Sequence, residues 1–254
     1  AGAEGAGALE PVLSTAERLA DALLEQGAEA VAVVGSRATG DATEDSDIDL
    51  AVIGEGPHYR LEVHDGTLVS VGWATAEEQA RRLYDPQWLG THVHGWRHAV
   101  VLRDPKALAA GIKEEALKWD WVQVEIECDE WVAKTVTGLA EEFLKLVASL
   151  RGGDDLMAAA QRSTLALRLP SAMAIRRRIL YGSENRLWSL VADELGSEWR
   201  EAQSSAFGLD GGSLDESCRS ARRLFELAVN EAHDLLDESQ LGAVEYALRR
   251  AHDL

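Results

Sequence analysis

Short apolar runs in the first hundred residues of the chain alternate with polar segments, a pattern typical of β-strands. Residues 28–34 form a valine-rich apolar run and predict a buried strand. Residues 46–53 read SDIDLAVI and predict a second strand. Residues 60–73 contain two alternating runs around an Asp-Gly pair, which predicts a hairpin with a tight turn. A last apolar run, residues 99–102, completes this strand-rich region.

Beyond residue 105 the apolar spacing becomes that of α-helices. A stripe with steps of three and four residues predicts one long amphipathic helix; its members are Val132, Val136, Leu139, Phe143, Leu146 and Leu150. Three or four further helices follow. We therefore predict an α+β domain with a mixed sheet over residues 11–105 and an all-α helical bundle over residues 106–254. The Gly/Ala-rich residues 1–10 are expected to be a flexible lead-in.

The chain of 254 residues carries 44 acidic and 25 basic side chains, a formal net charge of −19. This charge disfavours nucleic acid and anionic membranes as partners and favours a cationic ligand. The two cysteines cannot form a disulfide framework, which indicates a reducing compartment. No apolar run reaches membrane-spanning length, so we expect a cytoplasmic protein.

The residues with the clearest chemistry lie at the ends of the first two predicted strands. Gly35 and Ser36 follow the first strand directly, where a glycine and a hydroxyl can approach a phosphate closely. Asp47 and Asp49 alternate with apolar residues, so both carboxylates are expected on one face of the second strand. Two unpaired carboxylates favour Mg²⁺. The combination is typical of a metal–triphosphate site for phosphoryl or nucleotidyl transfer.

Residues 31–53, with their apolar run, Gly-Ser pair and Asp-x-Asp, resemble the polymerase-β-type nucleotidyltransferase superfamily. The order of elements from about residue 30 to 195 is similar to that of aminoglycoside nucleotidyltransferases of the kanamycin type. The resemblance implies Mg²⁺-dependent transfer of AMP from ATP to a hydroxyl of an aminoglycoside, with release of pyrophosphate. It also implies a role in antibiotic resistance and a homodimer.

The same resemblance assigns roles to the residues of the motif. It implies that Asp47 and Asp49 are catalytic and bind Mg²⁺, and that Gly35, Ser36 and Arg37 bind the nucleotide. The acceptor is expected to be a small cationic molecule with hydroxyl groups.

Two further positions lie on the predicted hairpin. Glu62 precedes the turn glycine by four residues, a spacing that the resemblance links to an active-site glutamate, here a ligand for an ammonium group. A solvated strand carboxylate is an equal alternative. On the returning strand the family has a carboxylate where this chain has Ser70. This departure leaves the number of metal ions and the level of activity open.

The predicted long helix supplies three more candidates. By resemblance, Glu141 is a general base and Lys145, four residues later, contacts the nucleotide phosphates. Glu142 is the alternative base or a substrate-binding residue. Without the resemblance, a solvated ion pair between Glu141 and Lys145 is the simpler interpretation.

Two alternative functions stay open at the level of sequence. The acceptor could be a different one, such as a lincosamide or a protein side chain. The fold could also serve as a binding module such as an antitoxin, with catalysis weakened by the missing carboxylate. Retention of Asp47 and Asp49 argues against the second alternative, since uncompensated carboxylates destabilise a fold.

Overall fold

The computed structural model describes residues 4–251, with side chains from Ser14 onward, and divides the chain into two compact units. The first unit extends to Gln123 and the second starts at Val124. The first holds a five-stranded mixed sheet with helices, and the second is made of long helices. The predicted α+β fold with a following helical domain is thereby confirmed.

The first unit contains five helices and five strands among its described residues. The strands are β1 (Ala30–Val34), β2 (Ile48–Ile53), β3 (Tyr59–His64), β4 (Thr67–Ala74) and β5 (Val100–Arg103). The helices are α1 (Glu4–Glu25), α2 (Gly35–Thr39), α3 (Ala76–Arg82), α4 (Leu89–His98) and α5 (Leu108–Lys118).

The sheet has the strand order β3-β4-β2-β1-β5, so β3 and β5 are its edges. Strand β2 runs antiparallel to β1 and parallel to β4, while β3 and β4 form the predicted antiparallel hairpin. The turn residues Asp65 and Gly66 both have positive φ, which favours the glycine. The Asp-Gly pair thereby fixes the register of the hairpin.

One face of the sheet packs against α1. Ile48, Leu50 and Val52 alternate along β2 into an apolar core shared with Ala20 and Leu23 of the helix. We call this side the α1 face. The residues between them, Asp49 and Ala51, point to the opposite face because strand side chains alternate.

Helix α5 belongs to the first unit, although the sequence pattern placed residues from 106 onward in the helical domain. Ala109, Ile112 and Ala116 are buried, and the helix contacts α4 and β1. Arg97 of α4 also donates to the carbonyl of Ala116, with Nε to O at 2.8 Å. The helix is amphipathic, so its sequence alone could not show which unit covers its apolar side.

The second unit consists of α6 (Glu125–Gly152), α7 (Asp155–Arg176), α8 (Glu184–Leu195), α9 (Ser197–Ala206), α10 (Leu214–Ala232) and α11 (Glu238–Arg250). Two 3₁₀ turns, Trp121–Val124 and His233–Leu235, complete the order of elements. The predicted stripe of α6 is buried except at Leu150, which is half-buried. Phe143 stacks on Phe225 of α10 with ring centroids 4.6 Å apart.

The structure differs from the predicted lead-in, because α1 begins at Glu4 and takes in residues 4–10. Alanine has the highest helix propensity, so an alanine-rich segment can extend a helix that packs further along. Residues 1–3 of the predicted lead-in lie outside the described residues. Over residues 4–251, none of the helices has the length and apolar character needed to cross a bilayer.

Candidate functional site

The two aspartates lie at the beginning of β2, in the middle of the sheet. Asp47 immediately precedes the strand and Asp49 is its second residue. Ile48 between them is fully buried on the α1 face, so alternation turns both carboxylates to the opposite face. Asp49 pairs with Val34 of β1, the residue directly before Gly35. The register thus brings the Gly-Ser turn and the two aspartates together, as the spacing predicts.

Gly35 allows the turn to approach Asp49 more closely than any other residue could. Its φ is +71°, and a Cβ built on it would lie 2.1 Å from Oδ2 of Asp49. A glycine is therefore required here for two independent reasons, backbone conformation and space. Ser36 follows as the second residue of α2 and is half-buried.

Ser70 of β4 is the direct partner of Asp49 across the parallel pair of strands. Its hydroxyl donates to Asp49, with Oγ to Oδ1 at 2.6 Å. Burial raises the pKa of Asp49, the hydrogen bond from Ser70 opposes this shift, and the neighbouring carboxylate of Asp47 adds to it. The site thus holds a partly buried carboxylate, and none of the three groups or effects that shift its pKa is a cation.

Arg37 stabilises the loop between the two motifs. Its guanidinium donates from Nε to the carbonyl oxygen of Asp47 at 2.9 Å and from Nη2 to that of Ser46. These bonds fix the backbone on which the Asp47 carboxylate is carried. Arg37 therefore acts on the aspartates through the backbone, and its predicted contact with a nucleotide stays a prediction.

The residues present fit a Mg²⁺ ion. Asp47 and Asp49 supply carboxylate oxygens, and Mg²⁺ in proteins is often held by one or two carboxylates together with substrate phosphates and water. Burial is the main cause of the raised pKa of Asp49 and the carboxylate of Asp47 adds to it, so a cation bound here would stabilise the charged form. Among the side chains that the structure describes, from Ser14 to Ala251, no group of three or more His, Cys, Asp or Glu is suited to a metal. The remaining ligands would therefore come from the substrate and solvent.

Glu62 lies on the other side of the sheet. It pairs with Val69 of β4, a residue of the apolar core on the α1 face. The Glu62 carboxylate forms an ion pair with Arg60 at 3.3 Å and a hydrogen bond with His64 at 2.8 Å. Since Leu61 pairs with Ser70, the register sends Leu61 and not Glu62 to the face that carries Asp49. The structure therefore does not bring Glu62 to the aspartates.

Glu141, Glu142 and Lys145 lie on α6, in the second unit. The Lys145 ammonium group contacts Glu141 at 3.0 Å and Glu142 at 3.2 Å, and these two carboxylates raise its pKa. The contacts are those of solvated ion pairs along one helix. The predicted roles of Glu141 as base, of Glu142 in substrate binding and of Lys145 at the phosphates stay predictions.

Sequence reasoning noted Ser70 only as a missing carboxylate and missed its hydrogen bond to Asp49. It also missed that Leu61 shares a face with the aspartates. For Leu61 the signal was present, because the Asp-Gly turn sets the hairpin register and the alternation in YRLEVH then assigns a face to each residue. The bond from Ser70 depends instead on the parallel pairing of β4 with β2, and the hairpin turn does not set that register.

Comparison with known proteins agrees with this geometry. Residues 16–120 match the family model of the nucleotidyltransferase domain. No curated protein matches the chain. A crystal structure of a nucleotidyltransferase-like protein from Exiguobacterium sibiricum is similar over 95% of this chain and 90% of its own, with a TM-score of 0.52 and 14% identity. At that identity the likeness concerns the fold.

The matched residues 16–120 include Gly35, Ser36, Asp47, Asp49 and Ser70. The family match thus covers the part of the chain in which the structure brings the Gly-Ser turn and the two aspartates together. Residues 16–120 are thus similar to a nucleotidyltransferase domain, and this similarity supports a nucleotidyl transfer function.

Proposed function

We propose that the protein is a Mg²⁺-dependent adenylyltransferase that moves AMP from ATP to a hydroxyl group of a small molecule. The observation that carries this proposal is the close approach of Gly35, Asp49 and Ser70 at the beginning of β2, inside the matched domain. Such a reaction needs a carboxylate pair for the metal and a turn that admits phosphate groups, and the chain has both.

In the proposed reaction the acceptor oxygen attacks the α-phosphorus of ATP. A new bond forms between that oxygen and phosphorus, the bond to the β-phosphate oxygen breaks, and pyrophosphate leaves. Mg²⁺, when bound, would offset the charge that develops on the phosphate oxygens. Asp47 and Asp49 would hold the metal, and Ser70 would keep the Asp49 carboxylate in a fixed orientation through its hydrogen bond.

The acceptor proton must be removed during this step. The resemblance assigns that task to Glu141, and we keep it as the first candidate with Glu142 as the alternative. Ser36 is the candidate contact of the γ- or β-phosphate, since it follows Gly35 directly at the start of α2. A homodimer and a cytoplasmic location are compatible with the proposal and stay predictions.

One observation favours the predicted aminoglycoside acceptor and a second argues against it. The net charge of −19 favours a cationic acceptor. Glu62, the residue assigned to bind an ammonium group, lies on the α1 face and is already paired with Arg60 and His64. The proposal therefore specifies a small hydroxylated acceptor, and an aminoglycoside is one member of that group.

Isothermal titration with ATP, in the presence and absence of Mg²⁺, tests the nucleotide site directly. We expect binding that requires Mg²⁺ and is lost in Asp47→Asn and Asp49→Asn. Asp41→Asn, an exposed aspartate in the same loop, is the matched control and should bind as the wild type does. Equal ATP affinity in wild type and both site variants would contradict the proposal.

A further inference from the structure

Four large apolar side chains lie exposed on the outer part of the sheet. They are Tyr59, Leu61 and Val63 of β3 and Leu68 of β4, with 62%, 52%, 67% and 42% of their surface accessible. We call them the β3 stripe. They all lie on one face, because the three β3 residues alternate and Leu68 pairs directly with Val63.

The β3 stripe is on the same face as the aspartates. Leu61 pairs with Ser70, and Ser70 pairs with Asp49, so these three residues form one row across β3, β4 and β2. Neighbouring strands are about 5 Å apart, which puts Leu61 about 10 Å from Asp49 between Cα atoms. A molecule of the size of one sugar with a substituent spans that distance. The stripe is thus continuous with the proposed site.

The charged side chains of β3 are all turned away from this face. Arg60, Glu62 and His64 lie on the α1 face, where Glu62 forms an ion pair with Arg60 and a hydrogen bond with His64. Strand β3 therefore has its polar and charged side chains on the α1 face and its apolar side chains on the face of the aspartates. A polycationic acceptor would find no carboxylate on this part of β3.

The size of the stripe favours a small ligand over a second copy of the chain. Four half-exposed side chains offer roughly a few hundred Å², within the range of the largest apolar patch on an ordinary monomer. A stable protein interface needs about 800 Å² from each partner. The stripe is therefore large enough for a substrate and too small to hold a dimer together by itself.

We propose that the β3 stripe is the acceptor subsite, and that it takes an uncharged or weakly charged hydroxylated molecule with an apolar face. This inference rests on the proposed function, because it places the acceptor beside the nucleotide site. It specifies the acceptor by the surface that contacts it: Leu61 and Tyr59 pack on the apolar face, and a hydroxyl group is directed toward Asp49.

Nuclear magnetic resonance with labelled Leu, Val and Ile methyl groups tests this subsite directly. The probes are n-octyl-β-D-glucoside below its micellar concentration and kanamycin, each added to the protein with Mg²⁺ and a non-hydrolysable ATP analogue. We expect the alkyl glycoside to shift the methyl signals of Leu61, Val63 and Leu68. Kanamycin should leave them unchanged at the same concentration.

Leu61→Asp is the test variant, and it should weaken binding of the alkyl glycoside at least about tenfold. Leu209→Asp, at an exposed leucine of the second unit, is the matched control and should have no effect. The methyl groups of Leu209 and Ile126 report on unspecific apolar binding. Equal shifts there and in the stripe, or unchanged binding in Leu61→Asp, would overturn the proposal.

Two outcomes separate this inference from the proposed function. If the ATP analogue fails to bind while the stripe binds the glycoside, the proposed function is wrong, and the stripe is an apolar binding site but not an acceptor subsite. If the analogue binds and kanamycin, not the glycoside, shifts the methyl signals of the stripe, the nucleotide site stands and the proposal of an apolar acceptor subsite is overturned. Analytical ultracentrifugation completes the test: a wild-type dimer that Leu61→Asp converts to a monomer would identify the stripe as an interface between copies and overturn the subsite.

Discussion

The hydroxyl of Ser70 donates to Asp49 at 2.6 Å from the neighbouring parallel strand, in direct register. This bond orients a carboxylate whose pKa is raised by burial. Ser70 stands where the resemblance expects a third carboxylate. In place of that carboxylate the chain thus has a hydrogen-bond donor to Asp49, and the hydrogen bond opposes the rise in the pKa of Asp49.

Ser70→Ala should weaken Mg²⁺-dependent ATP binding roughly tenfold, since a hydrogen bond to a charged group contributes about 1.5–3 kcal/mol. Without the donor, the pKa of Asp49 should rise further, so protons should compete with Mg²⁺ up to a higher pH. Titration of ATP affinity against pH in both proteins measures this. Ser163→Ala, which removes a serine bonded within α7, is the control. Identical pH profiles in wild type and Ser70→Ala would show that the bond does not act on the site.

Gly35→Ala should abolish ATP binding, because the new Cβ would collide with Oδ2 of Asp49 at 2.1 Å. Gly40→Ala provides a matched control: its φ is also positive, at +82°, but nothing lies within 4 Å of the added Cβ. Both variants should lose about 1–2 kcal/mol of stability through the left-handed backbone, and Gly35→Ala should lose more because of the collision. Only Gly35→Ala should lose ATP affinity, as measured by calorimetry. A similar loss of ATP affinity in both variants would show that backbone strain, and not the collision with Asp49, causes the effect.

Asp49→Asn should stabilise the ligand-free protein. Because burial and Asp47 raise the folded-state pKa of Asp49 above its unfolded value, stability falls as pH rises through that window and stays lower at neutral pH. The amide removes this loss, and each kcal/mol gained corresponds to a rise in Tm of about 2–4 °C. Thermal melts at pH 7 without Mg²⁺ test it, with Asp41→Asn as the control. A lower Tm for Asp49→Asn would contradict the assigned cause.

His92 should make the stability depend on pH in mildly acidic solution. Burial lowers its pKa from 6.5 to about 4, against a hydrogen bond at 3.0 Å to the backbone oxygen of Gln79 that opposes the shift. The unfolded chain binds the proton first, so the protein should lose up to about 3 kcal/mol as pH falls from 6.5 to 4.

Denaturant melts across this pH range measure the effect of His92. His92→Gln should flatten the curve, because it removes the titrating group, whereas the exposed His98→Gln should leave it unchanged. If stability falls as steeply with pH in His92→Gln as in the wild type, other groups are responsible for the acid sensitivity.

Glu141→Gln should lower kcat and leave ATP affinity unchanged if Glu141 removes the acceptor proton. Loss of a positioned general base typically lowers the rate about 10²- to 10⁴-fold. Glu130→Gln, an exposed glutamate on the same helix, is the control. Steady-state kinetics with the acceptor found for the enzyme give the comparison, and a loss confined to Glu142→Gln would transfer the role to Glu142.

Much of the site was predictable because it depends on local order. Gly35, Ser36, Asp47 and Asp49 stand at strand ends, and alternation alone assigns the faces of Asp49 and Ile48. The position of Glu62 does not follow from its distance to the turn glycine, because the register of β3 against β4 decides its face. The boundary of the first unit was harder still to predict from the sequence, since an amphipathic helix such as α5 can pack on either unit.

Release of pyrophosphate from ATP is the measurement that tests the central claim most directly. It should be followed with Mg²⁺ and a panel of hydroxylated acceptors that runs from kanamycin to alkyl glycosides, in wild type and Asp47→Asn. We predict release that requires Mg²⁺, an acceptor and Asp47 together. Release that continues in Asp47→Asn, or wild-type protein that neither binds ATP with Mg²⁺ nor releases pyrophosphate, would contradict nucleotidyl transfer at this site.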